Sequence, residues 1–185
     1  MEIKNELNPL NKKSHGQLTA EIGNSLKFEN CDVFYDHGVS GKSVGKIVSY
    51  FSDKMERGSQ LSYLDIAIVR KNTNEAIALI EIEETANRPK TIIADIFAFL
   101  MGEKVAFQGR ELEVGNKTIL IVLGFSKVPH LKHNQYILEK VEKARSALDT
   151  KNSKIRKVLI ETYSDKDNLH TLLQSLLDQA IKGNL

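Results

Sequence analysis

Apolar positions recur along this chain with two different periods, and the changes of period mark out its elements. Leu18, Ile22 and Leu26 repeat at helical spacing behind Ser14 and Gln17, which have the form of a capping box, and predict a first helix over 15–28. Residues 31–35 (CDVFY) read as a short strand. After the glycine-punctuated loop DHGVSGKSVGK, the positions Val44, Ile47, Val48, Phe51 and Met55 fit a further helix. Residues 63–69 and 76–83 are apolar strands separated by the polar tract RKNTNE, which signals a hairpin. Pro89 suits the first turn of a helix in which Ile92, Ile93, Ile96, Phe97, Phe99 and Leu100 cover so much surface that it must lie deep in the fold. Residues 118–125 (TILIVLGF) form the most apolar strand, expected at the centre of a sheet covered on both faces. A helix near 133–149, a strand near 156–162 and an amphipathic helix near 167–182 complete the pattern. The expected fold class is α/β, a central mixed β-sheet flanked by helices on both faces.

The length of 185 residues suits one domain with a real core. Residues 1–13 read as a flexible N-terminal arm and 14–185 as a single domain; no repeat or linker divides it. No run approaches a bilayer-crossing length and residues 1–13 lack an apolar signal core, so a cytoplasmic protein is expected. A lone cysteine, Cys31, excludes an intrachain disulfide framework and a cysteine-rich zinc site, and its setting suggests a small core residue. The net charge of +2 does not by itself imply a nucleic-acid partner. Lys132, Lys140, Lys143, Arg145, Lys151, Lys154, Arg156 and Lys157 crowd one segment, as either a solvated face or a phosphate-contacting one.

The candidate chemistry lies where acids interrupt core strands. Glu81, Glu83 and Glu84 end ALIEIEE, and Asp65 breaks YLDIAIV. Alternation puts Glu81 and Glu83 on one face and Glu84 on the other. With an odd-length loop or a bulge in the hairpin, Asp65 falls opposite Glu81, their Cβ atoms about 4.5–5.5 Å apart. A two-residue turn at Asn72 and Thr73 would instead place them on opposite faces. Converging carboxylates repel, and a divalent cation is the usual compensation; oxygen-only ligands favour Mg²⁺ or Mn²⁺. The alternative is that the strand ends emerge into solvent.

These residues, in this order, resemble the PD-(D/E)XK nuclease superfamily, with its restriction-endonuclease-like fold. That pattern is a helix bearing a glutamate, a strand, an Asp on the second strand, a (Glu/Asp)-x-Lys on the third, and a helix. Glu21 in HGQLTAEIGNSLKF, Asp65 in SYLDIAIV and Glu81-Ile82-Glu83 match it from about residue 14 to 125, with Glu83 where lysine is usual. The resemblance implies Asp65 and Glu81 as metal ligands, Glu83 as ligand or general base, and Glu21 as a ligand through water, or else a solvated helix residue. Lys90 would be the relocated lysine, or an exposed residue at a helix start. Lys42 and Lys46 would face DNA, and Arg88 would contact phosphate or pair with Glu84. The implied function is metal-dependent DNA endonuclease, a type II restriction endonuclease acting as a homodimer. The alternatives are a structure-selective nuclease such as a junction resolvase, and a non-catalytic nucleic-acid-binding protein that keeps the fold.

Other motifs are weaker. GVSGKS lacks the glycine spacing of a Walker loop, because position 36 is an aspartate. No Gly-x-Ser-x-Gly elbow is present. His130 and His133 lack a third ligand nearby, and they, His15 and His37 are read as solvated. The stripe Leu169, Leu172, Leu173, Leu176, Leu177 and Ala180 fits a helix packed on its own sheet better than a dimer seam.

Overall fold

The computed structural model describes residues 15–83, 89–126, 139–141, 143, 144, 146, 153–155 and 157–182. The expectations for the N-terminal arm, Ser14, Glu84, Arg88, His130, His133 and the basic residues 132, 145, 151 and 156 lie outside these residues. In chain order the elements are α1 (His15–Ser25), β1 (Cys31–Tyr35), β2 (Ile47–Tyr50), β3 (Gln60–Leu64), β4 (Ile66–Arg70), β5 (Ala76–Glu83), α2 (Pro89–Leu100), β6 (Lys104–Phe107), β7 (Arg110–Leu112), β8 (Ile119–Phe125), β9 (Lys157–Tyr163) and α3 (Lys166–Ile181). Residues 139–141, 143, 144 and 146 are helical as well.

Five strands make one mixed sheet in the order β1-β4-β5-β8-β9. The first two pairings are antiparallel, and β8 and β9 run parallel to β5. Alternation along β5 sends Leu79 into one core with Ile92, Ile96 and Phe99 of α2, and Ile80 and Ile82 into another with α1 and α3. The α3 stripe packs on its own sheet, with Leu169, Leu173 and Leu177 fully buried. Cys31 is a core residue whose thiol is pushed up chiefly by burial.

The other four strands form an antiparallel sheet, β3-β2-β6-β7, that sequence periodicity does not reveal. Two expectations are corrected here. The segment carrying Val44, Ile47, Val48 and Phe51 is not a helix: Ile47–Tyr50 is a strand paired on both sides, with β3 and with β6. Its apolar spacing fits a helix, but β-branched Ile47 and Val48 pack well on a pleated surface, and pairing with two neighbours decides the outcome. The stretch 63–69 is likewise two strands rather than one. The chain bends at Asp65, leaving Leu64 in the second sheet opposite Ile47 and Ile66 in the first opposite Ile80. Stacked rings of Phe34 and Phe107, 4.3 Å between centroids, join the two sheets through the core.

Helix α1 docks on the end of β1 through two glycines two turns apart. A Cβ at Gly16 would stand 2.5 Å from the His37 ring, and one at Gly23 would stand 2.5 Å from the Tyr35 ring. The missing side chains let both rings press on the helix. Tyr35 then donates to Asn24 Oδ1 at 2.5 Å, tying helix to strand a second time. No helix among the described residues is long and apolar enough to cross a membrane.

Candidate metal centre

The register of the β4–β5 hairpin carries a bulge at Ile68/Val69, so Ile66 faces Ile80 and the next residues, Asp65 and Glu81, come opposite one another. Glu81 and Glu83 project from the Leu79 face of β5, toward α2. There α2 buries Ile92, Ile96 and Phe99, and half-buried Asp95 sits between two of them on the same turns. One carboxylate oxygen each from Glu81, Glu83 and Asp95 lies within 4.8 Å of the other two. Glu81 Oε2 and Asp95 Oδ2 are buried and have no hydrogen-bond partner.

The electrostatics of this trio are those of crowded anions in a poorly solvated place. Burial pushes the Glu81 carboxyl well above the usual carboxylate range, and the charges of Asp65, Asp95 and Glu83 push it further. The Asp65 backbone N–H, hydrogen-bonded to that carboxylate, offsets part of this. Asp95 is raised to about 7, by burial first, then by its hydrogen bond to Glu83 and by the charges of Glu83 and Asp65. Without a cation, Glu81 and Asp95 keep their protons to higher pH than ordinary carboxyls do. Hard oxygen donors around a small space, two of them buried and unpartnered, fit Mg²⁺ or Mn²⁺.

Asp65 stands beside this trio, but its side chain is engaged elsewhere. Strand alternation alone would aim it at the Glu81 face, whereas the bend turns it toward α1. Its Oδ1 accepts from His15 Nε2 at 2.8 Å and from Thr19 Oγ1 at 3.2 Å. Its Oδ2 accepts from the Ile82 backbone N–H at 2.8 Å. Were β4 to continue, Leu64 would face Ile82; because Leu64 has left for the second sheet, the Asp65 carboxylate takes up the amide that the departing strand leaves unpaired.

The remaining candidates are dispersed. Glu21 lies on α1, which packs against the opposite face of β5, and it pairs with Lys166 Nζ at 2.5 Å; the structure does not bring it to Glu81 and Glu83. Lys90 is exposed in the first turn of α2. Lys42 is exposed in the loop before β2, and Lys46 holds its ammonium 4.7 Å above the ring of exposed Tyr63. Arg88 is outside the described residues.

Several contributors escape sequence reasoning. Asp95 has a visible signal, the one acid in the apolar helix PKTIIADIFAFL. His15 is not a solvated histidine: it contacts Asp65, fifty positions away, and lies edge-on to His37. Thr19 and Tyr163 carry no local signal. The Tyr163 hydroxyl, buried at the end of β9, donates to the Glu83 carbonyl at 3.2 Å and anchors the end of β5.

Comparison of the chain with protein-family models, with curated proteins and with solved structures finds no match.

Proposed function

We propose that this chain is a divalent-metal-dependent endonuclease of the PD-(D/E)XK type, hydrolysing phosphodiester bonds in DNA. The observation that carries the reading is the convergence of the Glu81 and Glu83 carboxylates with Asp95 at the C-terminal end of β5, with two buried oxygens unpartnered. Element order adds support. A helix, a strand, an Asp at the head of the sheet's second strand, a Glu-x-Glu on its third and then a helix is the order the resemblance expects.

A cation held by these carboxylates supplies activation of a water nucleophile and stabilises charge on the phosphoryl oxygens. The chain's own residues do the rest. Glu81 and Glu83 present anionic oxygens from a strand whose end is tied down by Tyr163, so their positions are set before substrate arrives. Lys90, exposed at the start of α2, is the proposed phosphate contact in place of the usual lysine. Lys42, Lys46 and Tyr63 lie on the loop and strands that lead into Asp65, and are proposed to meet the DNA backbone. One water is consumed and one P–O bond broken per cut, so a type II restriction endonuclease working as a homodimer would cut both strands. A junction resolvase would use the same chemistry on branched DNA.

A non-catalytic DNA-binding protein is the second reading. It is favoured by Glu83 standing where lysine is usual. Nicking assays on plasmid and on branched DNA with Mg²⁺ or Mn²⁺ separate the two. Expected are cleavage abolished by EDTA and by Glu81→Ala, and DNA binding retained in that variant. Binding that falls with salt but never leads to cleavage would establish the second reading instead.

A further inference from the structure

We infer that the divalent cation is held by Glu81, Glu83 and Asp95, and that Asp65 is a positioning residue rather than a ligand. This deepens the reading above and rests on it only for the reaction; the cation site stands on its own geometry.

The trio comes from two elements in different layers, β5 and α2. One oxygen from each acid already lies within 4.8 Å of the others, the spacing of donors around a shared ion. Glu81 marks the place: part of its side chain reaches the surface, yet Oε2 is enclosed and unpartnered, as is Asp95 Oδ2. Enclosed carboxylate oxygens without donors are unfavourable when ionised, and a cation meeting them removes that cost. Asp65 contrasts in every respect. Three donors from α1 and β5 occupy its two oxygens at 2.8, 3.2 and 2.8 Å, and it is not a member of the trio. Its contribution reaches the site through the backbone, by fixing the Ile82 peptide between the two glutamates and by offering its own N–H to Glu81. A positioning role of this kind survives replacement by asparagine better than a ligand role does, because the backbone N–H and one acceptor oxygen remain.

The test is Mn²⁺ binding to the full chain, by calorimetry and by electron paramagnetic resonance, with thermal unfolding in EDTA as the check on folding. Asp95→Asn is expected to weaken Mn²⁺ binding by about a hundredfold, at least what loss of an outer partner costs a metal site, while the metal-free protein unfolds no earlier than the parent. Asp65→Asn is expected to keep Mn²⁺ affinity within about threefold, the ligand set being intact, yet to unfold earlier. The assignment is overturned if folded Asp95→Asn binds Mn²⁺ like the parent, if folded Asp65→Asn loses binding as far as Asp95→Asn does, or if the parent binds no Mn²⁺ at millimolar concentration. Asp95-dependent Mn²⁺ binding with no cleavage of any DNA would end the nuclease reading and leave the site. Cleavage and Mn²⁺ binding both indifferent to Asp95 would do the reverse.

Discussion

Asp65 shows how one carboxylate can end a strand pairing without leaving a buried amide unsatisfied. Its three acceptor contacts each replace something that water or a ladder bond would otherwise supply, so their loss is felt together. Asp65→Ala leaves the Ile82 N–H and the Thr19 hydroxyl without this acceptor and should cost about 3 kcal/mol, read from urea unfolding. Thr19→Val keeps the volume but removes one donor, and the expected loss is about 1 kcal/mol. A Thr19→Val loss as large as that of Asp65→Ala would mean that the cost lies in α1 packing and not in the carboxylate. Asp95 obeys a different sign. Its carboxyl titrates near 7 when folded against 3.8 for an ordinary aspartate, so the folded chain keeps a proton that the unfolded chain has released between those values. Stability attributable to Asp95 is therefore whole below about 4 and falls as pH rises toward 7. Asp95→Asn removes the dependence: its stability relative to the parent should climb across that window in metal-free buffer, and a flat difference would contradict the assigned environment.

At the scale of elements, the glycine contacts of α1 make a sharp prediction. Gly23→Ala puts a methyl 2.5 Å from Tyr35 Cγ, a ring atom held by the strand beneath it, and should lower stability by about 1–3 kcal/mol. Gly58→Ala, with open space around its Cα, serves as the control and should show no comparable loss. The elements also show what periodicity can and cannot disclose. β1, β5, β8, β9 and α3 are legible because each lies wholly in one layer. β2 is not, since Val44, Ile47, Val48 and Phe51 satisfy a helical spacing that only pairing with β3 and β6 overrules. The run 63–69 is legible as strand but not as parts of two strands in two sheets, because Leu64 and Ile66 are equally buried on either side of the bend. β6 and β7 turn through Gln108-Gly109, both at positive φ, without the Asn-Gly or Asp-Gly signal of such hairpins. Within the candidate site, Glu81 and Glu83 are visible through alternation. Asp95 shows only as a polar interruption of an apolar helix, and His15 and Thr19 depend on a helix docking that no local pattern encodes.

For the whole molecule, contacts among the described residues tie the two sheets together at several places. The chain passes between them at Asp65, the Phe34 and Phe107 rings stack across the core, and near β7 the Ala76 N–H donates to the Glu113 carbonyl at 2.9 Å. The acidic trio sits within this framework and bridges β5 to α2, so a cation bound there stabilises the folded state as a whole. At a hundred times its dissociation constant, Mn²⁺ should add about 2.7 kcal/mol, seen as a higher unfolding temperature. The gain should grow as pH rises, because protons and cation compete for the same oxygens. An unfolding temperature indifferent to Mn²⁺ at every pH would contradict a site built on these groups. The bend at Asp65 has one more consequence, for the exchange of backbone hydrogens with heavy water. Along β5 most amides are guarded by neighbouring strands and exchange when those strands separate. The Ile82 amide is guarded by a side chain that α1 itself holds in place, so its deuterium uptake should follow the lifting of that helix and report it independently of the sheet.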